Sequence, residues 1–184
     1  MIGSRPREFV LEREQQVPGT IEEVFAFFSD PANLERITPP WLSFRITGCS
    51  TPSIRAGTTL DYRLRLRGLP LRWRSLIRTW KPPFEFVDEQ IIGPYRKWHH
   101  RHSFVERDGG VLVRDRVTYS VLGGAAVERL FVRRDLQRYN ALSVYSQLLF
   151  AQDVLHDATI CELAALALVN LVSEVPASLA AVDA

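Results

Sequence analysis

The chain has 184 residues, enough for one domain with a sizeable core. Hydrophobic residues make up 46% and charged residues 24%, the ordinary balance of a soluble globular protein. A formal net charge of +2 is too small to argue for a nucleic-acid partner, and the two cysteines, Cys49 and Cys161, lack metal-ligand spacing and read as small buried or half-buried thiols.

The N-terminal MIGSRPREF carries no apolar signal-peptide core. The longest apolar run, 163–172, is interrupted by Asn170 and is far short of the about 20 residues that span a bilayer. No stable membrane insertion and a cytoplasmic location are therefore expected.

Segment 8–17 alternates Phe9, Leu11 and Arg13 against Val10, Glu12 and Glu14, the period of a strand with one partly polar face. Thr20-Ile21-Glu22-Glu23 is a capping box and predicts a short helix with Val24, Phe27 and Phe28 toward the core. Asp30-Pro31 ends that helix and starts another, because Asp suits an N-cap and Pro the first helical position. Pro39-Pro40 stops the second. Strands are predicted at 42–50, 58–67, 71–80, 84–92, 95–107 and 110–121, with turns at Ile54–Gly57, Gly68–Pro70, Pro82-Pro83, Gly93-Pro94 and Asp108-Gly109. Such close spacing admits only antiparallel hairpins, since a parallel crossover needs a dozen or more residues. Gly123-Gly124 breaks the pattern, and a helical region begins near Ala125.

Turn positions set hairpin register, and register sets which side chains share a face. A two-residue turn at Asp108-Gly109 pairs Arg107 with Gly110, Glu106 with Val111, Phe104 with Val113, His102 with Asp115, His100 with Val117 and Trp98 with Tyr119. This face, the more aromatic one, is expected to point inward; His99, Arg101, Arg107, Arg114 and Arg116 are expected to meet water. A turn at Leu69-Pro70 sets Leu66 by Trp73, Leu64 by Ser75, Tyr62 by Ile77 and Leu60 by Thr79, all inward. It also places Asp61 opposite Arg78 and Arg65 opposite Arg74. Parity through Pro82-Pro83 turns Phe86, Asp88 and Gln90 inward and Glu85, Val87 and Glu89 outward.

The inner face thus mixes Leu64, Leu66, Trp73, Ile77, Phe86, Trp98, Phe104, Val113 and Tyr119 with Tyr62, Asp88, Gln90, His100, His102 and Asp115. A dry core rarely tolerates so many polar groups, because each unpaired one costs about 1–3 kcal/mol. An apolar cavity with a few placed polar groups is the composition of a small-molecule site. The expected ligand contacts are Tyr62, Leu64, Trp73, Ser75, Ile77, Phe86, Asp88, Gln90, Trp98, His100, Phe104, Val117 and Tyr119.

The run Trp80-Lys81-Pro82-Pro83-Phe84, Phe86-Val87-Asp88-Glu89-Gln90, Gly93-Pro94-Tyr95 and Trp98-His99-His100-Arg101-His102-Ser103-Phe104 resembles the SRPBCC proteins, as does the early segment from Val17-Pro18 through Pro39. These proteins share a superfamily with START lipid-transfer domains, the birch-pollen allergen fold and polyketide aromatase/cyclases. The resemblance covers roughly 8–138. It implies an α+β helix-grip fold, in which a curved antiparallel sheet of about seven strands wraps a long C-terminal helix and two short helices close one end of a cavity. It also implies hydrophobic or aromatic ligands, but no single activity, since the fold hosts carriers, sensors and enzymes.

The whole chain reads as one such domain, but 139–184 departs from the pattern. A further capping box, Thr159-Ile160-Cys161-Glu162, opens a helix that is apolar on nearly every side and must be buried, as an extra packing layer, a homodimer interface or the closure of the cavity.

Among candidate chemical groups, His102 opposite Asp115 is the sharpest pair, because a carboxylate can fix an imidazole's tautomer for acid–base work. The plainer alternative is a structural polar pair without turnover. His100, His102 and Asp115 offer three ligands to a metal, but no helical His-x-x-x-His pattern supports one, and neither metal nor cofactor is expected. No serine or cysteine nucleophile constellation appears. The arginine-rich outer face reads as a solvated surface neutralised by Glu85 and Glu89, without the interleaved aromatics of a single-strand platform. The preferred reading is a carrier or sensor for a hydrophobic small molecule; the alternative is a polyketide cyclase or dehydratase-like enzyme working through His102 and Asp115.

Overall fold

Strand β1 (Phe9–Pro18) is followed by helices α1 (Ile21–Ser29) and α2 (Pro31–Ile37), then by six strands. These are β2 (Arg45–Cys49), β3 (Thr59–Leu66), β4 (Leu69–Lys81), β5 (Glu85–Ile92), β6 (Lys97–Arg107) and β7 (Gly110–Ser120). A last helix, α3 (Gly124–Val127), continues into a π turn over Glu128–Val132. A computed structural model describes residues 7–38, 42–66 and 68–132 of the chain, and all of them fall in one compact unit. The remainder of the expected gripping helix and the apolar tail helix lie outside the described residues. No helix among the described residues is long and apolar enough to cross a membrane.

The local signals act as their chemistry requires. Thr20 caps α1, with its Oγ1 accepting from the Glu23 amide at 3.4 Å while Glu23 Oε2 accepts from the Thr20 amide at 2.9 Å. Asp30 caps α2 through the Ala32 amide at 2.8 Å, with Pro31 at the first helical position. Helix α1 buries Ile21, Val24, Phe25 and Phe27. Phe25, absent from the expected core set, meets Trp80, Phe86 and Phe104 edge-on at centroid distances of 5.2, 5.9 and 5.3 Å. Phe28 is only half-buried, though its ring lies 6.1 Å from that of Phe104.

The seven strands form one antiparallel sheet in the order β1-β7-β6-β5-β4-β3-β2. The β6–β7 register is the one expected at every position from Trp98↔Tyr119 to Arg107↔Gly110. Its turn has Asp108 at φ 47° and Gly109 at φ 79°, the pair of positive φ values that a type I′ turn demands.

The β3–β4 hairpin differs from expectation. It turns before Leu69, with Gly68 at φ 82°, so Leu66 faces Leu69, Leu64 faces Leu71, Tyr62 faces Trp73 and Leu60 faces Ser75. Gly68 supplies the positive φ that Leu69-Pro70 cannot, and Pro70 sits in the strand opposite Arg65. The displacement is an even number of residues, so the inward set survives. The cross-strand partners change: Asp61 faces Arg74 rather than Arg78, and Arg65 faces Pro70 rather than Arg74.

A bulge in β4 between Ile77 and Thr79 shifts the pairing with β5, where Ile77 faces Asp88 and Trp80 faces Phe86. Alternation slips there, so Trp80 rather than Thr79 joins the aromatic cluster with Phe25 and Phe86. Val87 holds its outward parity beside Thr79 and Arg101, yet is only 5% exposed.

The outer face is laced by ion pairs, Arg78 to Glu89, Arg101 to Glu85, Arg114 to Glu14 and Arg116 to Glu12, and His99 Nδ1 lies 3.0 Å from Glu89 Oε1. Each is worth at most about 1 kcal/mol at an exposed site. Cys49 is exposed, against expectation, and its thiol donates to the Thr51 carbonyl at 3.0 Å.

Candidate functional site

Register across the sheet assembles rows of side chains from separate strands. One row runs Arg13, Asp115, His102, Phe86 over β1, β7, β6 and β5. The next runs Leu11, Val117, His100, Asp88, Ile77. Two imidazoles and two carboxylates therefore meet on the inner face, with their ring centroids 3.8 Å apart.

The carboxylates lie on opposite sides of the imidazole pair. Asp115 Oδ1 is 2.6 Å from His102 Nδ1 and 3.5 Å from His100 Nε2. Asp88 Oδ2 is 3.5 Å from His102 Nε2 and 3.6 Å from His100 Nδ1. The other Asp88 oxygen accepts from Ser75 Oγ at 3.3 Å, and Ser75 Oγ accepts from the Trp73 indole at 3.0 Å. Phe86 stacks on His102 with centroids 4.1 Å apart.

Charge distribution follows from this contact set. Burial disfavours the His102 imidazolium, but attraction to Asp115 and Asp88 outweighs it and raises His102 to about 9. Burial alone would raise Asp115 and Asp88; the two imidazoles hold both below the ordinary carboxylate range. Burial pushes Arg13 below its ordinary range, with Asp115 acting against that.

The cluster is not self-sufficient in hydrogen bonds. His100 Nε2, His102 Nδ1 and Asp115 Oδ1 are buried, approach one another off-axis, and complete no hydrogen bond of acceptable angle. Gln15 Oε1, on the inner face of β1, is also buried without a partner. An unmade buried hydrogen bond costs about 1–3 kcal/mol, so such a group of atoms is exceptional in a dry interior.

An aromatic wall flanks the cluster. Trp98 lies edge-on to His100 at 6.3 Å, and also contacts Trp73, Tyr95 and Tyr119 at 5.4, 4.7 and 6.2 Å. Tyr119 donates to the buried Glu128 carboxylate at 3.0 Å, tying the start of the last helix to β7.

The expected site residues separate into groups. Asp88, His100, His102, Asp115, Ser75, Trp73, Phe86, Trp98, Val117 and Tyr119 come together around the cluster and its wall. Tyr62 and Ile77 form a buried group with Leu60, packed under Leu34, Phe44 and Ile46. Phe104 is held by Phe25, Phe28 and Phe86. Leu64 lies half-buried toward the β3–β4 turn, opposite Leu71. Gln90 clamps its own turn, with Nε2 donating to the Tyr95 carbonyl at 2.7 Å and Oε1 accepting from the Tyr95 amide at 3.3 Å.

The sequence over residues 17–142 matches the family described as polyketide cyclase / dehydrase and lipid transport. The chain belongs to this family. The polyketide cyclase / dehydrase family lies within the SRPBCC superfamily, and the solved structures similar to this chain agree in fold. The Zhui aromatase/cyclase from Streptomyces sp. R1128 superimposes with a TM-score of 0.65 at 12% identity, over 83% of this chain and 98% of that one. Ara h 8.0201 gives 0.62 at 14% identity, over 80% and 100%. Truncated norcoclaurine synthase from Thalictrum flavum gives 0.59 at 15% identity, over 81% and 98%. No curated protein matches the sequence significantly.

Three contributors to this family member's site escaped the sequence reading. The strand period of β1 places Arg13 and Gln15 inward with Phe9 and Leu11, so the signal was present. Tyr95 was not recoverable, because its position depends on the Gln90 clamp rather than on alternation.

Proposed function

We propose that this member of the polyketide cyclase / dehydrase and lipid transport family binds a hydrophobic or aromatic small molecule against the inner face of its sheet, as a carrier or sensor. The observation that carries this reading is the set of buried polar atoms at the His/Asp cluster that complete no well-angled hydrogen bond among themselves, walled by Trp73, Tyr95, Trp98 and Tyr119. Aromatic walls supply apolar contact area, and the cluster supplies polar partners for a hydroxyl or carbonyl on the guest. Displacement of a fluorescent hydrophobic dye, followed by native mass spectrometry of the loaded protein, tests it. Trp98→Ala is expected to weaken dye binding at least tenfold. A protein that excludes every hydrophobic probe overturns the reading.

The 2.6 Å approach of His102 to Asp115 favours a second reading, a cyclase- or dehydratase-like enzyme. His102 then exchanges a proton with the substrate while Asp115 orients it, and Asp88 and His100 position polar substrate atoms. His102→Gln is expected to abolish turnover of a polyketide-like substrate and to leave dye binding intact. Turnover that survives this change removes the assignment.

A further inference from the structure

The two sides of the imidazole pair are spaced differently, and the difference is chemical. On the Asp115 side the shortest contact is 2.6 Å, a close ion-pair approach. On the Asp88 side a single carboxylate oxygen stands 3.5 Å from His102 Nε2 and 3.6 Å from His100 Nδ1. Both distances exceed the 2.7–3.2 Å of an N–H···O hydrogen bond. They match the separation of about 3.4 Å between neighbouring ligands on a tetrahedral ion whose bonds are roughly 2.0–2.2 Å long.

We propose that Asp88, His100 and His102 bind one first-row divalent transition-metal ion of the zinc class through Asp88 Oδ2, His100 Nδ1 and His102 Nε2. The ligand atoms of these three side chains all lie within 4.8 Å of one another. The surroundings supply what such a site needs. Ser75 occupies the other oxygen of Asp88 and so presents Oδ2 to the imidazoles. Asp115 sits against the far nitrogens of both rings, the place of the carboxylate that orients a metal-bound histidine. Three protein ligands leave a position for an exogenous group. The sequence offered His100 and His102 with Asp115 as the third ligand, and the absence of a helical His-x-x-x-His pattern spoke against an ion. Here the spacing is His-x-His on a strand, which puts both rings on one face, and the third ligand comes from the neighbouring strand.

The inference goes beyond small-molecule binding and is tested without any organic ligand. The full-length protein, stripped with EDTA, is titrated with Co2+ and followed by visible absorbance, then challenged with Zn2+. One equivalent of Co2+ with an intense tetrahedral-type band, displaced by one equivalent of Zn2+, is expected. Asp88→Asn, His100→Gln and His102→Gln are each expected to lose at least a hundredfold in affinity, and Asp115→Asn about 10–100-fold. His99→Gln, on the outer face with Glu89, is expected to change nothing. Absence of Co2+ binding and of a Zn2+-dependent rise in melting temperature in the unmutated protein overturns the proposal, and that result needs no variant to fold. Unchanged Co2+ affinity in a folded His100→Gln, His102→Gln double variant overturns it as well. Dye binding is read separately, so the two proposals fail independently.

Discussion

The Trp73 indole donates to Ser75 Oγ at 3.0 Å from two residues away on the same strand, and Ser75 in turn donates to Asp88 at 3.3 Å. Ser75 is 2% exposed, so neither bond is replaced by solvent when the hydroxyl is removed. Ser75→Ala leaves an indole N–H and a carboxylate oxygen without partners. The expected cost is about 1–3 kcal/mol, measured by urea unfolding followed by tryptophan fluorescence. Ser75→Thr, which keeps the hydroxyl, is expected to recover part of it.

Phe104 is 1% exposed and packs against Phe25, Phe28 and Phe86. These rings join α1 to the sheet. Phe104→Ala is expected to cost about 3–5 kcal/mol in the same unfolding assay, because α1, β5 and β6 cannot all collapse onto one cavity. A loss below about 1 kcal/mol would mean that α1 is not anchored there.

Asp61 and Arg74 form a two-point ion pair at 2.6 and 2.9 Å across β3 and β4. The hydrogen bond from Arg74 lowers the Asp61 pKa from its ordinary value of 3.8. A carboxylate with a depressed folded pKa stabilises the fold at pH values above its unfolded pKa. That contribution is lost as pH falls through the folded value. Asp61→Asn is therefore expected to lower the melting temperature at neutral pH, with the gap to the unmutated protein closing below about pH 4. Raising the salt concentration is expected to narrow the gap, since both groups are exposed.

The Gln90 clamp requires a glycine at position 93, because a Cβ there would collide with the Gln90 amide. Gly93→Ala is expected to cost about 1–3 kcal/mol by displacing that amide from both bonds to Tyr95. In a Gln90→Ala background the same substitution is expected to cost much less. The double-mutant cycle measures this, and equal costs in both backgrounds would separate Gly93 from the clamp.

Legibility followed turn chemistry. Asp108-Gly109 has a strong turn type, so the pairing of His102 with Asp115 was readable about half a strand away from it. Leu69-Pro70 misled because proline signals a turn as readily as it signals an edge or strand start, while the needed positive φ belonged to Gly68. Parity survived that displacement, so the inward set of β3 and β4 stood although every partner changed. The β4 bulge left no mark in the hydrophobic pattern, so strict parity put Thr79 in the inner layer where Trp80 stands. Nothing in one strand's alternation reports how far apart two inward side chains lie. For that reason Tyr62 and Phe104 were grouped with the His/Asp cluster, although each is packed in apolar surroundings.

The first strand of the chain lies beside the seventh, which places Arg13 next to Asp115. The three-strand meander from β5 to β7 is local in sequence and can bring Asp88, His100, His102 and Asp115 together by itself. The guanidinium arrives only when the N-terminus threads back along the opposite edge, the pairing of greatest loop-closure cost. An incompletely folded chain thus exposes Asp115 without its flanking cation, and the balanced electrostatics of the interior belong to the finished molecule alone.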